Sequence, residues 1–98
     1  MAKSEAPKNA FALKVAGDSM DLHVPAGFSV IIDPNDKALF QERLYVVLNS
    51  EGEATFKQYF DNPARLVPCS SNPEHKTIEL GEEPYTVVGR VVASHRRH

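Results

Sequence analysis

The chain has 98 residues with 42% hydrophobic content, enough to build one core and too little for two. Against 13 Asp and Glu stand 11 Lys and Arg, a net charge of −2, which excludes a chain built as a whole to neutralise several phosphates; DNA binding, if a parent protein has it, lies elsewhere. No apolar run approaches the roughly 20 residues of a membrane span, Met1-Ala2-Lys3-Ser4-Glu5 lacks the apolar stretch of a signal peptide, and the single cysteine, Cys69, cannot close an internal disulfide, so a cytoplasmic chain without membrane contact is expected.

Residues 1–9 carry Lys3, Glu5, Pro7, Lys8 and Asn9 with almost nothing apolar and read as a solvated tail or linker remnant, leaving 10–98 as the folded domain. The first strand-like run is Phe11 to Val15, followed by Gly17-Asp18-Ser19-Met20. Pro25-Ala26-Gly27 then turns into Phe28 to Ile32, which ends at Asp33-Pro34-Asn35-Asp36. Asp36 to Arg43 leans helical but is too short to matter as a helix. Leu44 to Leu48 and Ala54 to Tyr59 flank the turn Asn49-Ser50-Glu51-Gly52. Asp61-Asn62-Pro63 precedes Arg65 to Val67, Ser71-Asn72-Pro73 precedes Thr77 to Leu80, and Tyr85 to Ala93 is the last run. Short β-rich runs at this spacing, with no long helix to make parallel crossovers, predict a compact, mostly antiparallel all-β fold. Tyr85 to Ala93 is apolar almost throughout, which suits a strand central to the core or one covered by another subunit. His95-Arg96-Arg97-His98 reads as a frayed, solvated terminus.

Taken singly, the polar residues are ordinary. Ser19 after a strand reads first as a turn-capping hydroxyl, and Asp18 reads likewise. Strand periodicity puts Thr55, Lys57 and Tyr59 on one face and Ala54, Phe56 and Gln58 on the other, so Lys57 points away from Phe56. By itself it reads as a solvated strand lysine, on an edge where it discourages aggregation. His23, His75, His95 and His98 are scattered without the companion acids or cysteines of a metal site, and Asp33-Pro34-Asn35-Asp36 has Ala38 where a calcium loop needs glycine. No metal and no cofactor are expected.

The pair gains meaning from its setting. Between Ser19 and Lys57 lie Pro25-Ala26-Gly27-Phe28-Ser29-Val30-Ile31-Ile32-Asp33-Pro34 and Leu44-Tyr45-Val46-Val47-Leu48-Asn49. After them come Leu66-Val67-Pro68, Ser71-Asn72-Pro73 and Val87-Val88-Gly89-Arg90-Val91-Val92-Ala93-Ser94. This ordered set, over residues 11–94, resembles the C-terminal peptidase domain shared by LexA, phage CI repressors and UmuD-type mutagenesis proteins. The resemblance implies a LexA/signal-peptidase type of β-domain. Ser19 would be the nucleophile, Lys57 the general base, and the backbone N–H groups of Asp18 and Ser19 the oxyanion hole. It also implies a homodimer or higher homo-oligomer with an interface involving the C-terminal strand, and induction through the RecA filament or an antirepressor protein. Within the family, Thr55-Phe56-Lys57-Gln58 and Val91-Val92-Ala93-Ser94-His95 look closer to CI repressors than to LexA. A UmuD-like accessory role and a purely structural oligomerisation module with an inactive dyad remain the alternatives.

The chemistry asked of the pair is definite. A serine hydroxyl attacks only when a base takes its proton, and an amine does so only when uncharged. The unperturbed lysine pKa is about 10.4, so neutrality near pH 7 asks the fold for about 4 kcal/mol of bias against the charged form. Burial away from water and carboxylates applies that bias, and the Val46-Val47-Leu48 run and Phe56 suit such a setting. One departure stands out. The scissile Ala-Gly or Cys-Gly bond of the family lies further upstream of the nucleophile than this chain extends, and Ala16-Gly17 adjoins Ser19 too closely to fold back as substrate. The chain is thus expected to be a processed or truncated C-terminal piece, unable to cut itself without the upstream segment.

Overall fold

Seven strands hydrogen-bond into one sheet in a computed structural model that describes residues 9–15, 20–25 and 27–96. They are β1 (Phe11–Lys14), β2 (Phe28–Asp33), β3 (Leu44–Leu48), β4 (Ala54–Phe60), β5 (Arg65–Pro68), β6 (Ile78–Glu79) and β7 (Thr86–Arg96). Their order across the sheet is β1-β2-β7-β3-β4-β5-β6, and every ladder is antiparallel. The expected all-β class therefore holds, with the antiparallel character complete among the described residues. No described helix is long and apolar enough to cross a membrane. Asp36 to Arg43, the segment with helical leanings, forms no helix.

Alternation divides the apolar residues between two clusters. One holds Val15, Met20, Val24, Val30, Ile32, Val46 and Cys69; the other holds Tyr45, Val47, Tyr59, Leu66 and Ile78. Val46 and its neighbour Val47 fall in different clusters because successive side chains of a strand leave opposite faces. A sheet clad on both faces needs residues apolar on both, which explains the unbroken run in β3.

The β3–β4 hairpin sets the register on which the site depends. Asn49 Oδ1 accepts the N–H groups of Glu51 and Glu53, each at 2.9 Å, and Gly52 takes a φ of 80° that only glycine adopts without strain. That turn aligns Tyr45 with Lys57 and Val46 with Phe56.

Strand β7 departs from expectation at its C-terminal end. It runs on through Ala93 to Arg96, pairing His95 with Ser29 and Arg96 with Phe28, so this part of the presumed frayed tail is strand. Free backbone groups on β2 reward the pairing whatever the side-chain polarity. It is also an interior strand, joined to β2 over Arg90–Arg96 and to β3 over Thr86–Arg90. Its apolar run thus reflects a place within the sheet. Among the described residues no ladder occupies the β3-side edge beyond Arg90.

Candidate active site

Lys57 lies in the interior strand β4, between β3 and β5, which corrects the reading of an edge lysine in solvent. It faces the side shared with Thr55 and Tyr59, as its period-two position requires, and it is 3% exposed. Tyr45 stands directly opposite it on β3 and Pro68 opposite it on β5. Tyr45 is itself fully buried, its hydroxyl donating to the Ala38 carbonyl at 2.7 Å and accepting the Phe40 N–H at 2.9 Å. Lys57 is therefore flanked on its two neighbouring strands by Pro68 and by a tyrosine locked in place.

Among the described residues a backbone carbonyl answers it. Lys57 Nζ donates to the Lys76 carbonyl at 2.5 Å. Consecutive turns bring that carbonyl into place: Ser70 Oγ accepts the Asn72 N–H, Asn72 Oδ1 accepts the Glu74 N–H, and the Asn72 carbonyl accepts the His75 N–H. Lys57, Thr55, Glu53, His75, Lys76 and Glu83 line part of a cleft of about 560 Å³.

Burial holds the Lys57 amine below the ordinary lysine range, because the charged form loses its water. Two groups push the other way, the Cys69 thiol when ionised and the Glu83 carboxylate. Cys69 is fully buried and its thiol is pushed up to about 12 by that burial, with Lys57 opposing. It therefore stays uncharged wherever Lys57 titrates, leaving Glu83 as the anion that favours the protonated amine.

Asp18 and Ser19 lie outside the described residues, as do Ala16 and Gly17. What is described is how the chain is held on either side of them. Val15 is 1% exposed and donates its N–H to the Phe28 carbonyl at 2.8 Å. Met20 is fully buried, and its carbonyl accepts the N–H groups of His23 at 2.8 Å and Val24 at 2.7 Å, closing a tight turn. Leu22 N–H reaches the Cys69 carbonyl at 3.1 Å, and Cys69 N–H reaches Phe56, next to Lys57, at 3.2 Å. The turn after Ser19 and the strand bearing Lys57 are thus fastened to the same short segment.

A further contact joins them. Asp21 accepts the Ser71 N–H at 2.7 Å and the Ser71 hydroxyl at 2.5 Å, and these two bonds hold the Asp21 carboxyl below its usual range. Sequence reasoning passed over Asp21, Cys69 as a neighbour of the lysine, and Glu83. Asp21 follows the Ser19-Met20 pair directly, but nothing local ties it to a serine 50 positions away.

A family model described as Peptidase S24-like matches residues 1–92. The chain is 37% identical over 91 residues to the LexA repressor of Citrifermentans bemidjiense and, to the same degree, to the LexA repressor of a Geobacter species; each match covers 90% of this chain and 44% of the relative. It is 31% identical over 77 residues to the repressor protein C2 of Salmonella phage P22, covering 74% of this chain and 36% of that protein. The chain spans less than half the length of these curated relatives.

Proposed function

The chain belongs to the Peptidase S24-like family, and from that premise we propose that it is the C-terminal domain of a LexA- or CI-type repressor, combining a latent Ser/Lys self-cleavage site with a surface for self-association. The observation that carries the reading is the environment of Lys57. A lysine 3% exposed costs a fold several kcal/mol if it stays charged, and a strand position of no chemical use is more cheaply filled by an apolar residue.

In this mechanism the Lys57 amine, uncharged, takes the proton of Ser19 Oγ as that oxygen attacks the scissile carbonyl carbon. The backbone N–H groups of Asp18 and Ser19 receive the oxyanion of the tetrahedral intermediate, a contribution of a few kcal/mol. The ammonium of Lys57 then protonates the departing amine, and water resolves the acyl-serine with Lys57 again as base. The Lys76 carbonyl accepts an N–H of Lys57 and leaves the nitrogen lone pair for the serine proton.

Support for self-association comes from the open edge of β7. Among the described residues Val91–Arg96 pairs β2 on one side only, so two copies can join these edges about a two-fold axis and extend the sheet. The same edge keeps the second reading in view, in which the domain only oligomerises and the dyad never reacts.

A direct test incubates the chain with a peptide containing an Ala-Gly bond, across a range of pH, with and without RecA filament. Cleavage that rises with pH and stops in Ser19→Ala and Lys57→Ala is the expected result. Undiminished cleavage in those variants removes the dyad from the mechanism, and an inert parent under every condition favours the oligomerisation module.

A further inference from the structure

We propose that Asp21 and Ser71 form a positioning pair that fixes the turn after the nucleophile against the strand carrying the base. The inference rests on the peptidase reading of Ser19 and Lys57, and adds to it residues that neither the dyad nor the oxyanion hole includes.

The geometry is that of a staple. Asp21 lies two positions after Ser19, in the turn closed by the Met20 carbonyl. Both of its carboxylate oxygens are engaged by one residue, Oδ1 by the Ser71 backbone and Oδ2 by the Ser71 hydroxyl. Ser71 in turn lies two positions after Cys69, whose N–H is bonded to the Phe56 carbonyl and whose carbonyl accepts Leu22 N–H. A closed circuit of bonds therefore runs from Asp21 through Ser71 and Cys69 back to Leu22, and the Cys69 N–H ties that circuit to Phe56, the neighbour of Lys57. Charge-assisted bonds to an ionised carboxylate are shorter and about twice as strong as neutral ones, and a two-point attachment also fixes rotation. A dyad works only when its oxygen and nitrogen meet within bonding reach, and a displacement of about 1 Å costs on the order of 100-fold in rate.

The pair acts on the geometry of the dyad and not on its charge. Asp21 is not among the groups that move the Lys57 amine, so its loss should leave the pH dependence of cleavage where it was. A defect in general folding would show as a lowered unfolding midpoint instead.

The test compares parent, Asp21→Ala, Ser71→Ala, Ser71→Thr and the double alanine variant, with two readouts: cleavage of the Ala-Gly peptide over pH, and hydrogen exchange at the Leu22 and Ser71 amides. We expect Asp21→Ala to lower kcat by about 10- to 100-fold with an unshifted pH profile. Ser71→Thr should retain activity, and the double variant should be no worse than Asp21→Ala, since the two residues make one interaction. Faster exchange at Leu22 should accompany the loss. Parental kcat in Asp21→Ala, or a shifted pH profile, overturns the proposal. A parent that cleaves nothing brings down the peptidase reading instead. The staple is then judged on exchange alone, and equal protection of Leu22 in parent and Asp21→Ala refutes it.

Discussion

At the scale of single residues, the informative contrast is between two buried titratable neighbours. Lys57 and Cys69 are both almost without solvent, and burial moves them in opposite directions, because it disfavours the ammonium in one and the thiolate in the other. For Lys57 the unfolded chain binds a proton that the folded chain releases between the depressed native pKa and about 10.4, so stability rises with pH across that window. Lys57→Met should abolish this rise, which urea unfolding from pH 7 to 10 measures directly. Replacing Glu83 by Gln removes the anion that favours the charged amine, and the rising limb of the cleavage profile should move to lower pH. An unmoved limb would separate Glu83 from the base. Cys69, a thiol with a pKa of about 12, should ignore disulfide reagents at pH 8 in the folded protein and react fully once urea unfolds it.

At the scale of elements, β7 crosses from one partner strand to another at a point that leaves no room for a side chain. Gly89 sits there, paired with Val46, and a Cβ built on it would lie 2.5 Å from the Asp33 carbonyl oxygen and 2.9 Å from Ile32 Cγ2. The constraint is one of space. Gly89→Ala should cost about 1–3 kcal/mol, the range of overpacking, and calorimetry reads the fall in unfolding temperature. The same region is braced by Arg90, whose Nε meets Asp36 Oδ2 at 2.7 Å, tying β7 to the loop between β2 and β3. That loop is held from inside by Tyr45. Tyr45→Phe leaves the Phe40 N–H and the Ala38 carbonyl without their partner and should cost about 1–3 kcal/mol. Because the Tyr45 ring stands opposite Lys57, the substitution also asks whether a loosened loop lets water reach the amine.

At the scale of the whole molecule, the sheet has ends that need managing. β6 is two residues long, a common way to blunt an edge, whereas Val91–Arg96 is a six-residue stretch with one side open among the described residues. If self-association uses this edge, sedimentation at high micromolar concentration should give a dimer or larger species. A peptide copying Arg90 to Arg96 should compete for the edge and release monomer. A monomer at every concentration would remove the interface from the proposal. Interior placement of β7 agrees with the first of the two readings of its apolar run. Val87, Val88 and Val91 pack against the two clusters of this same chain, so the apolar side chains mostly serve the fold, and the backbone edge is what a second copy would find.

Much of this was legible along the chain. Period-two alternation, β-branched runs and turn residues such as Asn49 and Gly52 determine strand after strand, because both the pleat and the tight turn are local properties of the backbone. The same alternation placed Lys57 on the face opposite Phe56. Whether that face met water was decided only by tertiary structure, since the neighbours of Lys57 are Tyr45, Pro68 and the Lys76 carbonyl, each brought from another segment. So too with Asp21 and Ser71, and with His95 in its strand: a long-range hydrogen bond has no signature in the neighbours of either partner, and it forms because the folded chain presents one group to the other.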